Sequence, residues 1–319
     1  MSTVEPSCHD GKMIAPPTPH RTLELRMEDG AIIFVRQHGK PGAPRLVLSH
    51  GNGLAIDAYL AFWGPLCERY EVIVFDFRQH GANPSNPAWS HDWPTFVRDM
   101  EHVWQAINHS FGVRKAAGVF HSMSAICSIL HTFEYGPRWE MLALFDPPFS
   151  ARDGHPLRAL NQPAKNDLAA RARRRRPSYN SPEEFAGQLA SVPIFRRWVP
   201  EAYALFAKAT LRHDRASGAW RLACPRELEA RVFEAAADPT IWPRMANMPV
   251  PLELICADPQ AEDAGPPALI GQAMAVELPI EYESIADTSH FLQIERPDEC
   301  IRATERFLNR HGFSASQGQ

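Results

Sequence analysis

Short apolar runs alternate with longer amphipathic stretches along most of this 319-residue chain. RLVLSH (45–50) and EVIVFDF (71–77) are nearly continuous runs of aliphatic and aromatic residues, the pattern of strands buried on both faces. KAAGVFH (115–121), MLALFD (141–146), LELICA (252–257) and IEYESI (280–285) continue the series. Ahead of them, TLELRMEDGAIIFVRQHG reads as two strands about an Asp29-Gly30 turn, a hairpin signal. Between strands the period lengthens to that of helices. From Pro94 to Gly112 the residues Phe96, Met100, Val103, Trp104, Ile107 and Phe111 share one face, with Pro94 suited to the first turn and Gly112 to the stop. A second helix is expected from about Ser122 to Tyr135, ended by Gly136-Pro137. A last one carries Cys300, Ile301, Thr304, Phe307 and Leu308 on one face and ends near Gly312. Strands alternating with helices predict an α/β fold, a mostly parallel twisted sheet flanked by helices.

The rhythm breaks over residues 151–245, which are helix-rich, polar and basic, with no clear strand. They read as an inserted helical cap between two parts of one core, 21–150 and 246–312. Residues 1–20 and 313–319 read as tails. Within the insert, ARARRRRPS sets Arg171 beside Arg173, Arg174, Arg175 and Arg176, a like-charge block expected on a solvated face.

Composition narrows the class. A content of 45% hydrophobic and 22% charged residues fits a soluble globular chain, and a net charge of −4 gives no basis for binding nucleic acid or a membrane surface. The chain has no run of the roughly 18 apolar residues that a membrane span needs, and its polar N-terminus lacks the apolar segment of a signal peptide. Six cysteines show neither C-x-x-C nor a zinc spacing, so they read as free thiols of a reducing compartment and the expected location is cytoplasmic. No cofactor and no metal are expected. The partners left open are a small-molecule substrate and a second copy of the chain in a homodimer.

Candidate chemistry centres on GVFHSMSAICS (118–128), where a strand gives way at once to a helix. A serine on such a turn, within G-x-S-x-G, is a nucleophile elbow. Here Phe120 and Ser124 occupy the two glycine positions; Ser124 and Ala125 are small, but Phe120 breaks the pattern. SHGNG (49–53) follows the first long apolar run, and its Asn52 N–H, with that of Met123 just after the serine, is suited to hold a developing oxyanion. In DTSHFLQIERPDE (287–299) a histidine follows the last strand and precedes the last helix. His80 reads as a loop anchor, His121 as packing, and His102 and His109 as ordinary helix residues, seven apart and without a pattern such as H-E-x-x-H.

LVLSHGNG, VIVFDFRQHGANP, FHSMSA and SHFLQIERP together resemble the α/β-hydrolase fold superfamily, over about residues 22–312, with a cap at that family's usual insertion point after the sixth strand. The resemblance implies Ser122 as nucleophile and His290 as its base. For the acid that orients His290 it offers two positions, Asp146 in LFDPP and Asp258 in ADPQAED. HGN and the cap also resemble the haloalkane dehalogenase branch, which uses an aspartate nucleophile; a serine at 122 points instead to acyl transfer. The implied activity is hydrolysis of a carboxylic ester, lactone or thioester of a small apolar substrate. The irregular elbow leaves carbon–carbon bond hydrolysis, cofactor-free oxygenation and binding without chemistry as alternatives.

Overall fold

A computed structural model describes residues 8–9, 12–13, 15–235 and 238–314. Eight strands form one sheet: β1 (Arg21–Arg26), β2 (Ile32–Gly39), β3 (Arg45–Ser49), β4 (Glu71–Phe75), β5 (Ala116–His121), β6 (Met141–Phe145), β7 (Leu252–Ala257) and β8 (Glu281–Ile285). Their order is β1-β2-β4-β3-β5-β6-β7-β8. β1 and β2 make the expected hairpin, β2 lies antiparallel to β4, and every pairing from β4 to β8 is parallel.

The continuous apolar runs have a direct cause. All residues of β3 to β7 are buried. Successive side chains enter opposite layers: Leu46, Leu48, Val72 and Val74 join one core cluster, while Val47, Ile73 and Phe75 join the other. The first layer is closed by α1 (Leu60–Leu66) and the C-terminal helix Pro297–Arg310, and the second by α2 (Trp93–Phe111) and α3 (Met123–Tyr135). Asp92 caps α2 by accepting the Thr95 N–H at 2.9 Å, one turn earlier than the apolar stripe alone indicates.

Between β6 and β7 the chain forms α4 (Arg158–Arg174), α5 (Pro182–Ser191), α6 (Pro200–Thr210) and α7 (Arg226–Glu234). The expectation of a strandless insert is corrected here. Ser178–Tyr179, Leu211–His213 and Trp220–Leu222 form a small antiparallel sheet. Segments of two or three residues are too short for a period of two to register in the sequence.

The arginine block also departs from a purely solvated face. Arg171, Arg174 and Arg176 are exposed, but Arg173 pairs with Glu234 at 2.6 Å and Arg175 turns inward to Glu229 at 2.5 Å, tying α4 to α7. The insert meets the loops at the carboxyl end of the sheet: Asn52 Nδ2 donates to the Glu229 carbonyl at 2.9 Å, and the Val199 N–H to the Ile294 carbonyl at 3.3 Å.

Of the expected tails, residues 8–9, 12–13, 15–20 and 313–314 are described: Cys8–His9 pairs antiparallel with Lys12–Met13, and the His20 N–H donates to the Gln37 carbonyl at 2.8 Å. Among the described residues, Cys67, Cys127, Cys224, Cys256 and Cys300 are free thiols. No described helix is long and apolar enough to cross a membrane.

Candidate active site

The register of three neighbouring strands brings two of the candidate residues to one level. His121 of β5 pairs with Phe145 of β6, and Phe145 pairs with Ile255 of β7. One residue further on, the Ser122 N–H still reaches the Phe145 carbonyl at 2.9 Å, and the Asp146 N–H the Ile255 carbonyl at 3.0 Å. There both chains leave the sheet in the left-handed region, Ser122 at φ +53° and Asp146 at φ +43°. Neither residue is glycine, so each turn stores strain of about 1–3 kcal/mol, held by the strands before it and the packed segment after it.

His290 arrives from the loop after β8. Its Nε2 lies 3.0 Å from Ser122 Oγ, and its Nδ1 lies 2.6 Å from Asp146 Oδ2. A carboxylate only accepts, so Nδ1 carries the proton and Nε2 offers its lone pair to the serine hydroxyl. The other Asp146 oxygen accepts the Ala257 N–H at 3.1 Å. Asp146 and Ser122 are buried, whereas the His290 side chain is one-third exposed. Asp258 is occupied elsewhere: one oxygen accepts from Gln260 N–H at 2.8 Å in a local turn, the other from Asp287 N–H at 2.9 Å. The contest between the two acids is therefore one of geometry, and only Asp146 touches the imidazole.

The irregular elbow has a physical account. Phe120 is fully buried and packs edge-on against Trp139, 5.2 Å between ring centres. Its ring covers the α-carbon of Gly118: a β-carbon there would lie 2.4 Å from Phe120 Cε2 and 2.7 Å from Leu142 Cδ2. Gly118 thus leaves, within the strand, the room that the Phe120 ring fills. On the other flank, Ser124 Oγ donates to the His121 carbonyl at 2.8 Å and accepts the His121 N–H at 2.9 Å. A hydroxyl thus staples the turn where a glycine would only make room.

Met123 opens α3, so its N–H has no intrahelical acceptor. The loop carrying Asn52 runs against the same turn: a β-carbon on Gly51 would lie 3.0 Å from Ser122 Cβ and 3.1 Å from His121 Nδ1. On either side of Asn52 the N–H groups are engaged, Gly51 with Tyr59 Oη at 3.4 Å and Gly53 with His80 Nε2 at 3.1 Å. His80 fills the anchoring role expected of it, since its Nδ1 also donates to the Arg78 carbonyl at 2.9 Å.

Three residues of this neighbourhood were not legible as site residues. Glu229 holds Asn52 through its carbonyl. Tyr59 and His121 form a 2.7 Å hydrogen bond beneath the loop, so His121 does more than the packing expected of it. Burial pushes the His121 imidazole well below the usual histidine range. His102 and His109 stay on α2, half-buried and exposed.

Among the described residues, one grouping has ligand-type atoms: His80, His91 and Cys224 offer theirs within 4.8 Å of one another, all buried. Both His80 nitrogens are already engaged with the backbone, however, so a metal there would have to displace the Gly53 N–H. The trio is described best as a polar contact between the β4 loop and the insert.

The sequence pattern of the alpha/beta hydrolase family matches residues 46–303. No protein of curated function matches the chain. Among solved structures it is similar to E-2-(acetamidomethylene)succinate hydrolase, with a TM-score of 0.71 and 16% identity over 91% of this chain and 100% of that one. A thioesterase domain from the curacin biosynthetic pathway gives 0.67 and 18%, over 91% and 99%. A thermophilic esterase from Thermogutta terrifontis, solved with malate bound, gives 0.64 and 20%, over 91% and 98%. At these identities the likeness is one of fold.

Proposed function

Because the chain belongs to the alpha/beta hydrolase family, we propose that it is a serine hydrolase cleaving a carboxylic ester, lactone or thioester. The observation that carries this reading is the unbroken hydrogen-bonded line from Ser122 Oγ through His290 to Asp146. A serine hydroxyl is a poor nucleophile at neutral pH; a neutral imidazole that accepts its proton as the bond to carbon forms removes that obstacle. In this reading Ser122 Oγ adds to the substrate carbonyl while His290 Nε2 takes the proton. The carbonyl oxygen, now negative, is held by the N–H groups of Asn52 and Met123, a stabilisation worth about 3 kcal/mol per donor. The tetrahedral adduct collapses, the bond to the leaving oxygen or sulfur breaks, and His290 returns the proton to that atom. Water, deprotonated by His290, then releases the acid from the acyl-serine. The Asp146 carboxylate steadies the imidazolium in both halves.

Solved structures of this fold include proteins named for ester, thioester and succinate-derivative hydrolysis and one named a bromoperoxidase, so acyl transfer is proposed from the relay itself. The proposed substrate is small and apolar, meeting Leu54, near Ser122 across Gly51, and Phe291, whose ring lies 6.0 Å from that of His290. The insert, resting on Asn52 and on the segment after His290, is proposed as the cap over it.

A fluorophosphonate probe tests this. It should label wild-type protein at Ser122, and Ser122→Ala should abolish both labelling and hydrolysis of short p-nitrophenyl esters. Hydrolysis surviving in Ser122→Ala removes the proposal. Turnover of a ring-cleavage ketone without esterase activity would move the chemistry to carbon–carbon bonds.

A further inference from the structure

We propose that His121, together with Tyr59, is a positioning residue that ties the loop bearing the base His290 to the loop bearing the oxyanion donor Asn52. The inference rests on the serine-hydrolase reading and adds to it two side chains that act through the His290 main chain and the loop carrying Asn52.

The wiring follows from donors and acceptors. His121 Nε2 lies 2.9 Å from the His290 carbonyl. A carbonyl can only accept, so Nε2 carries the proton and Nδ1 is bare. Nδ1 then accepts from the Tyr59 hydroxyl at 2.7 Å. The Tyr59 oxygen, its proton committed, accepts the Gly51 N–H at 3.4 Å. The direction is the same throughout: Gly51 N–H to Tyr59, Tyr59 O–H to His121, His121 N–H to the backbone of His290. Three segments far apart in sequence are joined by two side chains, both almost fully buried. Burial pushes the tyrosine up and the histidine down, so both remain neutral and the line keeps one orientation.

The consequence lies in the main chain of His290. Its ring must hold 3.0 Å to Ser122 and 2.6 Å to Asp146 at once. The ring is one-third exposed, while its carbonyl is gripped from the buried side by His121, whose own ring centre lies 4.8 Å from that of His290. Reacting groups misplaced by about 1 Å lose about 100-fold in rate. Releasing that carbonyl is therefore expected to lower kcat and leave KM little changed, because the grip bears on the base and not on the substrate.

The test compares Tyr59→Phe, His121→Leu and His121→Gln with wild type. The readout is kcat per fluorophosphonate-titratable site, so unfolded protein is not counted. Tyr59→Phe removes one hydroxyl and keeps the ring. It should lower kcat several-fold with KM unchanged. His121→Leu should lower kcat about 100-fold. His121→Gln, which can present an N–H near the Nε2 position, should recover at least a tenth of wild-type kcat. If His121→Leu does not fold, Tyr59→Phe and His121→Gln still carry the comparison. Equal kcat per titrated site in all variants overturns the proposal, as does a loss confined to KM. Wild-type protein that the probe does not label would instead sink the serine-hydrolase reading, and this inference with it.

Discussion

Asp146→Asn is the sharpest perturbation of the proposed relay. Asp146 divides its two oxygens, Oδ1 accepting the Ala257 N–H at 3.1 Å and Oδ2 accepting His290 Nδ1–H at 2.6 Å. An asparagine is constrained by the first of these bonds: its carbonyl oxygen must face the Ala257 N–H, so its NH2 faces His290. Nδ1 then has to accept, the ring proton moves to Nε2, and Nε2 points a donor at Ser122 Oγ across 3.0 Å. The serine keeps its place and loses its base. A wrong tautomer of this kind costs about 10⁴ in kcat, which is about 5.5 kcal/mol of transition-state free energy at about 1.36 kcal/mol per decade. The assay is kcat on a p-nitrophenyl ester under saturation, beside a thermal melt to establish that the variant folds. Asp258→Ala is the matched control. It removes only the contacts to the Gln260 and Asp287 N–H groups and should stay near wild type. The reasoning is refuted if Asp146→Asn keeps more than about a tenth of wild-type kcat, or if the collapse appears in Asp258→Ala instead.

Two further outcomes follow from packing and burial. Gly118→Ala forces a β-carbon to within 2.4 Å of Phe120 and 2.7 Å of Leu142, and overpacking of this kind costs about 1–3 kcal/mol. Urea denaturation should show that loss, and Gly118→Ala/Phe120→Leu should regain part of it; additive losses would argue against the compensation between the two positions. His38 is buried against Trp63 with neither ring nitrogen hydrogen-bonded among the described residues, and burial lowers its pKa to about 3. Because the folded pKa lies below the unfolded value of about 6.5, the stability it contributes is complete above pH 6.5 and drains away as pH falls below it. The loss should reach about 3–5 kcal/mol toward pH 3, and His38→Phe should flatten that part of the stability profile; an unchanged slope would show that His38 does not titrate in the fold.

Much of the fold was legible because burial leaves a local trace. A strand covered on both faces has to be apolar at consecutive positions, so β3 to β7 could be read directly, and the stripe on α2 marked its inward side. Chain order also carried information, since a serine after one strand and a histidine after the last are brought to the same sheet edge by parallel topology. The three short strands of the insert were illegible because they span fewer residues than one clear alternation. Tyr59 and Glu229 looked like any other tyrosine in an apolar turn or glutamate on a helix, because what singles them out is a neighbour far along the chain.

The amino-acid sequence by itself determined the layers, the alternation of strand and helix, and the three kinds of side chain available at the sheet edge. The tertiary structure alone decided which acid meets His290, how Phe120 is accommodated over Gly118, and which residues lie beneath the loop that carries Asn52. Hydrophobic periodicity is written within one segment and survives without the others. The register between β5, β6 and β7, by contrast, is a property of paired strands. It is that pairing which lifts Asp146 to the level of Ser122 and leaves Asp258 bonded to its own turn and to the Asp287 backbone.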